Sequence, residues 1–225
     1  MRADSIGKRL QGVRRRIDGA CRRCGRSPKE ITLVAVTKGL PPESVREAVA
    51  AGLRQLGENR VQEAAAKRKA LDGLPTDVVW HMIGHLQTNK AKTTLRLFDI
   101  IHSVDTFHLA ETLSRRATEP VPVFLEVIVA GEPSKYGFPP AELARASQAI
   151  ARLPNLDLRG LMTVAPLAAD PEDVRPVFRG LREMARALSL QELSMGMTND
   201  FEVAIEEGAT CVRIGRAIFG ERRQP

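Results

Sequence analysis

The sequence predicts a single closed (β/α)8 barrel with an extra helix ahead of the first strand. Three observations lead there. Apolar, β-branched runs recur eight times, stretches of helical spacing fill the gaps between them, and no GxGxxG follows the first run. Strand–helix alternation means right-handed crossovers and a parallel sheet, and about eight such units in 225 residues suit a closed barrel better than an open doubly wound sheet. No linker or low-complexity stretch divides residues 1–225, so one domain is expected.

In chain order, Ile6, Leu10, Val13, Ile17 and Cys21 are spaced 4, 3, 4 and 4 apart, one apolar stripe down a leading helix that Gly25 and Pro28 end. The strand-like runs are ITLVAV (31–36), LRQLG (53–57), VVWHMI (78–83), DIIHSV (99–104), VPVFLEVIV (121–129), LDLRGLMTV (156–164), ELSMG (192–196) and TCVRIG (210–215). Between them lie ESVREAVAAG, VQEAAAKRKAL, NKAKTTLRLF, TFHLAETLSRRA, PAELARASQAIARL, PEDVRPVFRGLREMARAL and NDFEVAIEEG, all with helical character. Pro42 leads the first of these and Gly52 follows it, while Asn59 with Gln62 reads as a capping pair for the second.

Composition narrows the function classes. The balance of 43% hydrophobic and 27% charged residues is that of an ordinary globular chain. The opening MRADSIGKRLQGVRRRIDGA has no continuous apolar core, and no stretch approaches the roughly 18 apolar residues of a membrane span, so no membrane partner and a cytoplasmic location are expected. Cys21, Cys24 and Cys211 are too few and too uneven for a disulfide framework. CRRC and HMIGH (81–85) look like halves of a zinc site, but their separation far exceeds the ~12–15 residues of a finger, and no metal is expected. The net charge of +7 favours an anionic ligand. Its basic pairs (Arg22-Arg23, Arg115-Arg116, Arg222-Arg223) are scattered and aromatics are only 4%, so a nucleic-acid partner is not expected.

The barrel directs attention to Lys38, in AVTKGLP just past the first strand. Active faces of such barrels lie at the carboxyl ends of the strands, with phosphate often held by the loops after strands seven and eight. Those loops read SMGMTND and RIGRAIFG. Ser194 and Thr198 offer hydroxyls, and Gly196 and Gly215 let backbone N–H groups approach an anion. Closure sets strand one beside strand eight, roughly 5 Å away, so Lys38 shares a mouth with that cradle. An amine beside a phosphate site suits a phosphorylated aldehyde or ketone. An unperturbed lysine, at roughly 10.4, costs about 4 kcal/mol to deprotonate near neutral pH. Partial desolvation and a cation such as Arg213 would lower that cost. On residues alone, Lys38 reads either as a solvated loop lysine or as this amine. Glu58, His81, His102, Glu126, Arg159 and Arg213 put polar groups into other strands, which means an internal paired network or a ligand mouth.

AVTKGLP, LGENRVQE, WHMIGHLQTNK, IHSVD, EPSKYGF, LRGLMTV and LSMGMTNDFEVAIEEGATCVRIGRAIFG together resemble the pyridoxal phosphate homeostasis protein family, a single-domain relative of the barrel half of alanine racemase. The resemblance runs from about Ser27 to Gly220. It implies an alanine-racemase-like barrel in which Lys38 forms a Schiff base, a covalent imine, with pyridoxal 5'-phosphate. It also implies Ser194, Gly196, Thr198 and Gly215 around the phosphate, Arg213 at the pyridine nitrogen, and Asn59 and Met162 against the ring. Read as plain structure, Asn59 caps a helix and Met162 fills the core. Gly39 and Arg216 stand where some members carry threonine, and Asn199 where aspartate is frequent, which bears on the shape of the phosphate loop. Lys135 in EPSKYGF is read as a mobile lid residue, with a transient acceptor for the aldehyde as the alternative.

Within the resemblance, a carrier is favoured over an enzyme. A guanidinium at the pyridine nitrogen donates a hydrogen bond but gives up no proton, so the ring is a weak electron sink. Racemization asks for a donor on each face of the substrate, and in alanine racemase the second is a tyrosine of another domain. Here the only tyrosine is Tyr136. The implied role is to hold, buffer and deliver pyridoxal 5'-phosphate as a monomer, with transient contact to apo-enzymes and indirect effects on amino-acid and keto-acid metabolism. The alternative is a racemase or another weak amino-acid-converting enzyme.

Overall fold

A computed structural model describes residues 5–129 and 136–221; Pro133, Lys135 and the pair Arg222-Arg223 lie outside the described residues. The chain begins with α1 (Ile6–Arg23), then β1 (Thr32–Val36), α2 (Pro42–Ala50), β2 (Gln55–Glu58), α3 (Val61–Ala70) and β3 (Val79–Met82). It continues through α4 (Ala91–Leu97), β4 (Ile100–Val104), α5 (Phe107–Arg116), β5 (Val121–Glu126), α6 (Pro140–Ile150) and β6 (Leu156–Met162). It ends with α7 (Arg175–Ala187), β7 (Glu192–Ser194), α8 (Phe201–Glu206), β8 (Cys211–Ile214) and α9 (Arg216–Phe219). The strands pair in parallel in sequence order, and β8 returns to β1 with Val34 opposite Arg213. All eight predicted strands are present, with the predicted closure.

Two faces of each strand go to two different interiors. Ala35, Leu56, Trp80, Ile101, Val123, Leu161, Val212 and Ile214 join the apolar core between sheet and helices. Val34, Val36, Phe124, Met162 and Cys211 are buried but stand outside that core, and they fill the lumen. Side chains pack tightly there. A Cβ on Gly57 would come within 2.8 Å of Val34 Cγ1 and 2.9 Å of Ile83 Cδ1.

The stripe predicted on α1 is buried as Ile6, Leu10, Val13, Ile17, Ala20 and Cys21, and it lies across α2, α8 and α9. Ser5 caps this helix by accepting from Lys8 N–H, and the left-handed Gly25 (φ 70°) turns the chain away after it. Arg9 Nε donates to the Ile218 carbonyl at 2.6 Å, joining the first helix to the last. That last helix, α9, is four residues long and was not predicted, because one turn carries no apolar periodicity. The capping pair expected of Asn59 and Gln62 is not formed. Helix α3 starts at Val61, its cap position is Arg60 with no side-chain hydrogen bond, and Asn59 instead directly follows β2.

Candidate functional site

At the carboxyl ends of β1, β7 and β8 lies a cavity of about 580 Å3 lined by Lys38, Thr198, Arg213 and Gly215 among others. Lys38 follows β1 by two residues and is half-buried, and Val36 forms the wall beneath it. The residues on either side of Lys38 are tied down. The buried Lys67 ammonium donates to the Thr37 carbonyl at 2.7 Å, to Glu63 at 3.0 Å and to Glu58. Thr37 Oγ1 donates to Glu58 at 2.6 Å, and the Gly39 N–H donates to Glu63. Burial pushes the Glu58 carboxyl up, against the downward pull of Lys67 and Thr37. Gly39, one of the noted departures, adopts φ 69°, a conformation that favours glycine.

The opposite wall comes from the loops after β7 and β8. Thr198 Oγ1 accepts from the Ala217 N–H at 3.4 Å, so its hydroxyl sits at the start of α9, and Gly215 is that helix's cap residue. Arg216 donates to Asn199 at 2.9 Å, joining the two loops through the other two departures. Asp200 takes the Met197 N–H at 2.6 Å, and burial raises its carboxyl. Asn199, Asp200 and Arg216 also line the cavity and were not among the predicted site residues; their place in SMGMTND and RIGRAIFG was the available signal.

Arg213 is buried, with its guanidinium fixed on two sides. Nη1 donates to Ser194 Oγ at 2.6 Å and Nη2 to the Thr163 carbonyl at 2.8 Å. Burial draws its pKa below the ordinary value, while Cys211, Glu126 and Asp200 oppose the change. Ser194 lies deeper than a cavity wall. Its hydroxyl is in the lumen, between Arg213 and His102 Nδ1, which is 2.7 Å away. Gly196 (φ 92°) turns the chain beneath the cavity, and its carbonyl accepts from the Arg213 N–H. Met162 is buried at the end of β6, its partners in register being Glu126 and Ser194. Asn59 borders a neighbouring cavity with His85 and Lys90. Its Oδ1 is buried without a hydrogen-bond partner.

Five of the six strand polar groups sort into three sets. Glu58 belongs to the Lys67 cluster, while Arg159 is at the opposite end of the barrel with Asp157 and Glu192. His81 and His102 join Ser194 and Arg213. Tyr136 stacks on His85 with centroids 3.5 Å apart and remains 57% exposed. Among the described residues no group of three or more His, Cys, Asp or Glu could hold a metal ion, and no helix is long and apolar enough to cross a membrane.

A site with an amine, a guanidinium and an anion-ready loop around one cavity suits a phosphorylated, ring-shaped carbonyl compound. The volume falls within the ~300–1,000 Å3 typical of small-molecule pockets. Asn59, whose buried Oδ1 has no hydrogen-bond partner, lines the other cavity and not this one.

Residues 9–223 match the family described as alanine racemase, N-terminal domain. A pyridoxal phosphate homeostasis protein of Aquifex aeolicus is 46% identical over 96% of this chain and 98% of its own length. Its Escherichia coli namesake is 42% identical over 97% of each chain. The structure of PipY from Synechococcus elongatus, solved with PLP bound, superposes with TM-score 0.84 at 39% identity, covering 96% of this chain and all of that one. An alanine racemase of Clostridium difficile shares the barrel at TM-score 0.78 and 15% identity, a likeness of fold, with this chain covering 58% of it.

Proposed function

The chain belongs to the pyridoxal phosphate homeostasis protein family, and from that premise we propose that it holds pyridoxal 5'-phosphate at the carboxyl face of the barrel and keeps or hands on the cofactor without converting amino acids itself. The observation that carries this reading is the shared cavity: Lys38, from the first strand, and Arg213, from the last, meet the Thr198 and Gly215 loops around one space. When bound, the cofactor supplies an aldehyde that condenses with an amine, releasing one water. In this reading Lys38 is that amine. The clamp of Lys67, Glu58 and Glu63 holds the turn on either side of it.

Arg213 takes the pyridine nitrogen as a hydrogen-bond donor, which leaves the ring without an added proton. The phosphate is taken by Thr198 and the backbone of the Gly196 and Gly215 turns, with Ser194 acting through its bond to Arg213. Met162 and Asn59 complete the ring's surroundings. The barrel works as a monomer that meets apo-enzymes transiently. Two observations favour a carrier over a racemase. The relatives carry the name of homeostasis proteins, and Tyr136 is stacked on His85 rather than lining the Lys38 cavity.

A visible absorption spectrum of the purified protein, before and after Lys38→Ala, tests the assignment. An imine band that disappears in the variant is expected; an unchanged band would move the linkage to another amine. Incubation with single amino-acid enantiomers while optical rotation is followed tests the carrier reading, which expects no change with time.

A further inference from the structure

The mechanism above uses Arg213 and leaves two buried imidazoles unexplained. His102 lies in the lumen at 1% exposure, its ring stacked on Phe124 with centroids 4.5 Å apart. His102 Nε2 is 2.9 Å from His81 Nδ1, and His81 Nε2 is 2.7 Å from Gln55 Oε1. With the bonds already described, this makes an unbroken line of side chains from β8 and β7 through β4 and β3 to Gln55 at the start of β2. Gln55, His81 and His102 all line a second cavity, about 1130 Å3, at the opposite end of the barrel from Lys38.

Chemistry gives the line a direction. A guanidinium has only donors, so Ser194 Oγ must accept from Arg213. The strongest acceptor within reach of the serine's own proton is His102 Nδ1, since the neighbouring Cys211 sulfur accepts only weakly. An imidazole accepting at Nδ1 donates from Nε2, so His102 donates to His81 Nδ1, and His81 donates from Nε2 to the Gln55 carbonyl oxygen. Ser194, His102 and His81 each donate once and accept once, and only neutral rings can do so. Burial supplies that condition by holding His81 down to about 4 and His102 well below its ordinary value, the latter helped by His81 and Arg213.

We propose that Ser194, His102 and His81 are positioning residues, forming a one-way hydrogen-bond relay along the barrel axis that fixes the guanidinium of Arg213 where the cofactor's pyridine nitrogen meets it. The inference rests on the pyridoxal phosphate reading for its target, but the relay itself is a property of the cofactor-free chain. The Thr163 carbonyl fixes Nη2, and a serine hydroxyl free to rotate would hold Nη1 less firmly than one whose proton is committed. With the hydroxyl proton committed to His102, both the serine lone pairs and the Arg213 Nη1 direction are set.

The test has two arms, both on the full-length protein. Nitrogen NMR of histidine-labelled, cofactor-free protein at pH 7 is expected to show His81 and His102 neutral, each with a pyridine-type Nδ1 and a pyrrole-type Nε2. A charged ring, or an Nδ1–H tautomer at either residue, would reverse or break the line and overturn the proposal. In the second arm, His102→Leu is expected to shift the visible band of protein loaded with pyridoxal 5'-phosphate and to weaken cofactor retention roughly tenfold, the effect of losing about one hydrogen bond. His102→Asn, whose amide oxygen stands in for Nδ1, is expected to restore both. A folded His102→Leu protein with wild-type band and retention, or equal losses in both variants, would overturn it. Absence of any band in the wild-type protein would defeat the pyridoxal phosphate reading and leave the tautomers to decide the relay.

Discussion

At Gly196 a Cβ would lie 2.6 Å from the Ala204 Cβ and 2.9 Å from the Phe201 Cα, on a backbone held at φ 92°. The residue is therefore required by the approach of α8 as much as by any anion. Gly196→Ala is expected to destabilise the protein by about 2–4 kcal/mol, from steric overlap plus left-handed strain, with the loss read from urea unfolding. Lys67 behaves differently because its worth depends on its partner. Removing it in Lys67→Met leaves the Glu58 carboxyl in a site with 0% exposure, and a loss on the order of 3–5 kcal/mol is expected. The double variant Lys67→Met, Glu58→Leu should recover most of that loss, since the one carboxylate left without Lys67, Glu63, is partly exposed to water. Lys38, Thr198, Arg213 and Gly215 were legible in the sequence because barrel topology fixes which strand ends meet. The roles of Ser194 and Lys67 were not, because they depend on partners 92 and 9 residues away and on which way a short side chain turns.

Among the elements, α1 is the one that the alternation of strand and helix does not require, yet its stripe covers α8 and α9, which carry the loops of the site. Leu10 is 1% exposed on that stripe. Leu10→Ala is expected to cost about 2–5 kcal/mol in denaturant unfolding, and to weaken cofactor retention by loosening α9 beneath Gly215. The strands were readable from β-branched runs, because a parallel barrel buries both faces and leaves few polar interruptions. Their limits were less readable. Strand β2 extends through Glu58, whose charge is compensated by Lys67 from the next helix, and the expected continuations of β5 to 129 and β6 to 164 stop at Glu126 and Met162. There the chain turns to build the mouth: the Thr163 carbonyl accepts from Arg213, and the Thr163 hydroxyl donates to the Val127 carbonyl.

For the whole molecule, two neutral imidazoles in the lumen link folding to pH. An unfolded histidine takes up a proton near 6.5, whereas His81 resists until about 4, so between those values the unfolded chain binds more protons and stability falls as the pH is lowered. Each imidazole contributes a slope of up to ~1.4 kcal/mol per pH unit in that window. Glu58 and Asp200, both raised by burial, act in the opposite sense in acid. Urea unfolding at pH 7.5, 6 and 5 is expected to show the folded state weakening stepwise. A flat profile would mean that the rings are protonated in the fold or that these two carboxyls offset them, and Glu58→Gln separates the two. The proposed function requires one covalent assignment, that Lys38, just past the first strand, is the amine facing the cavity shared with β8. Incubating the full-length protein with pyridoxal 5'-phosphate, reducing with borohydride and mapping the digested peptides by mass spectrometry measures it directly. The predicted result is a pyridoxyl phosphate group on Lys38; an unmodified Lys38 beside a labelled Lys135, or no labelled lysine at all, would contradict it.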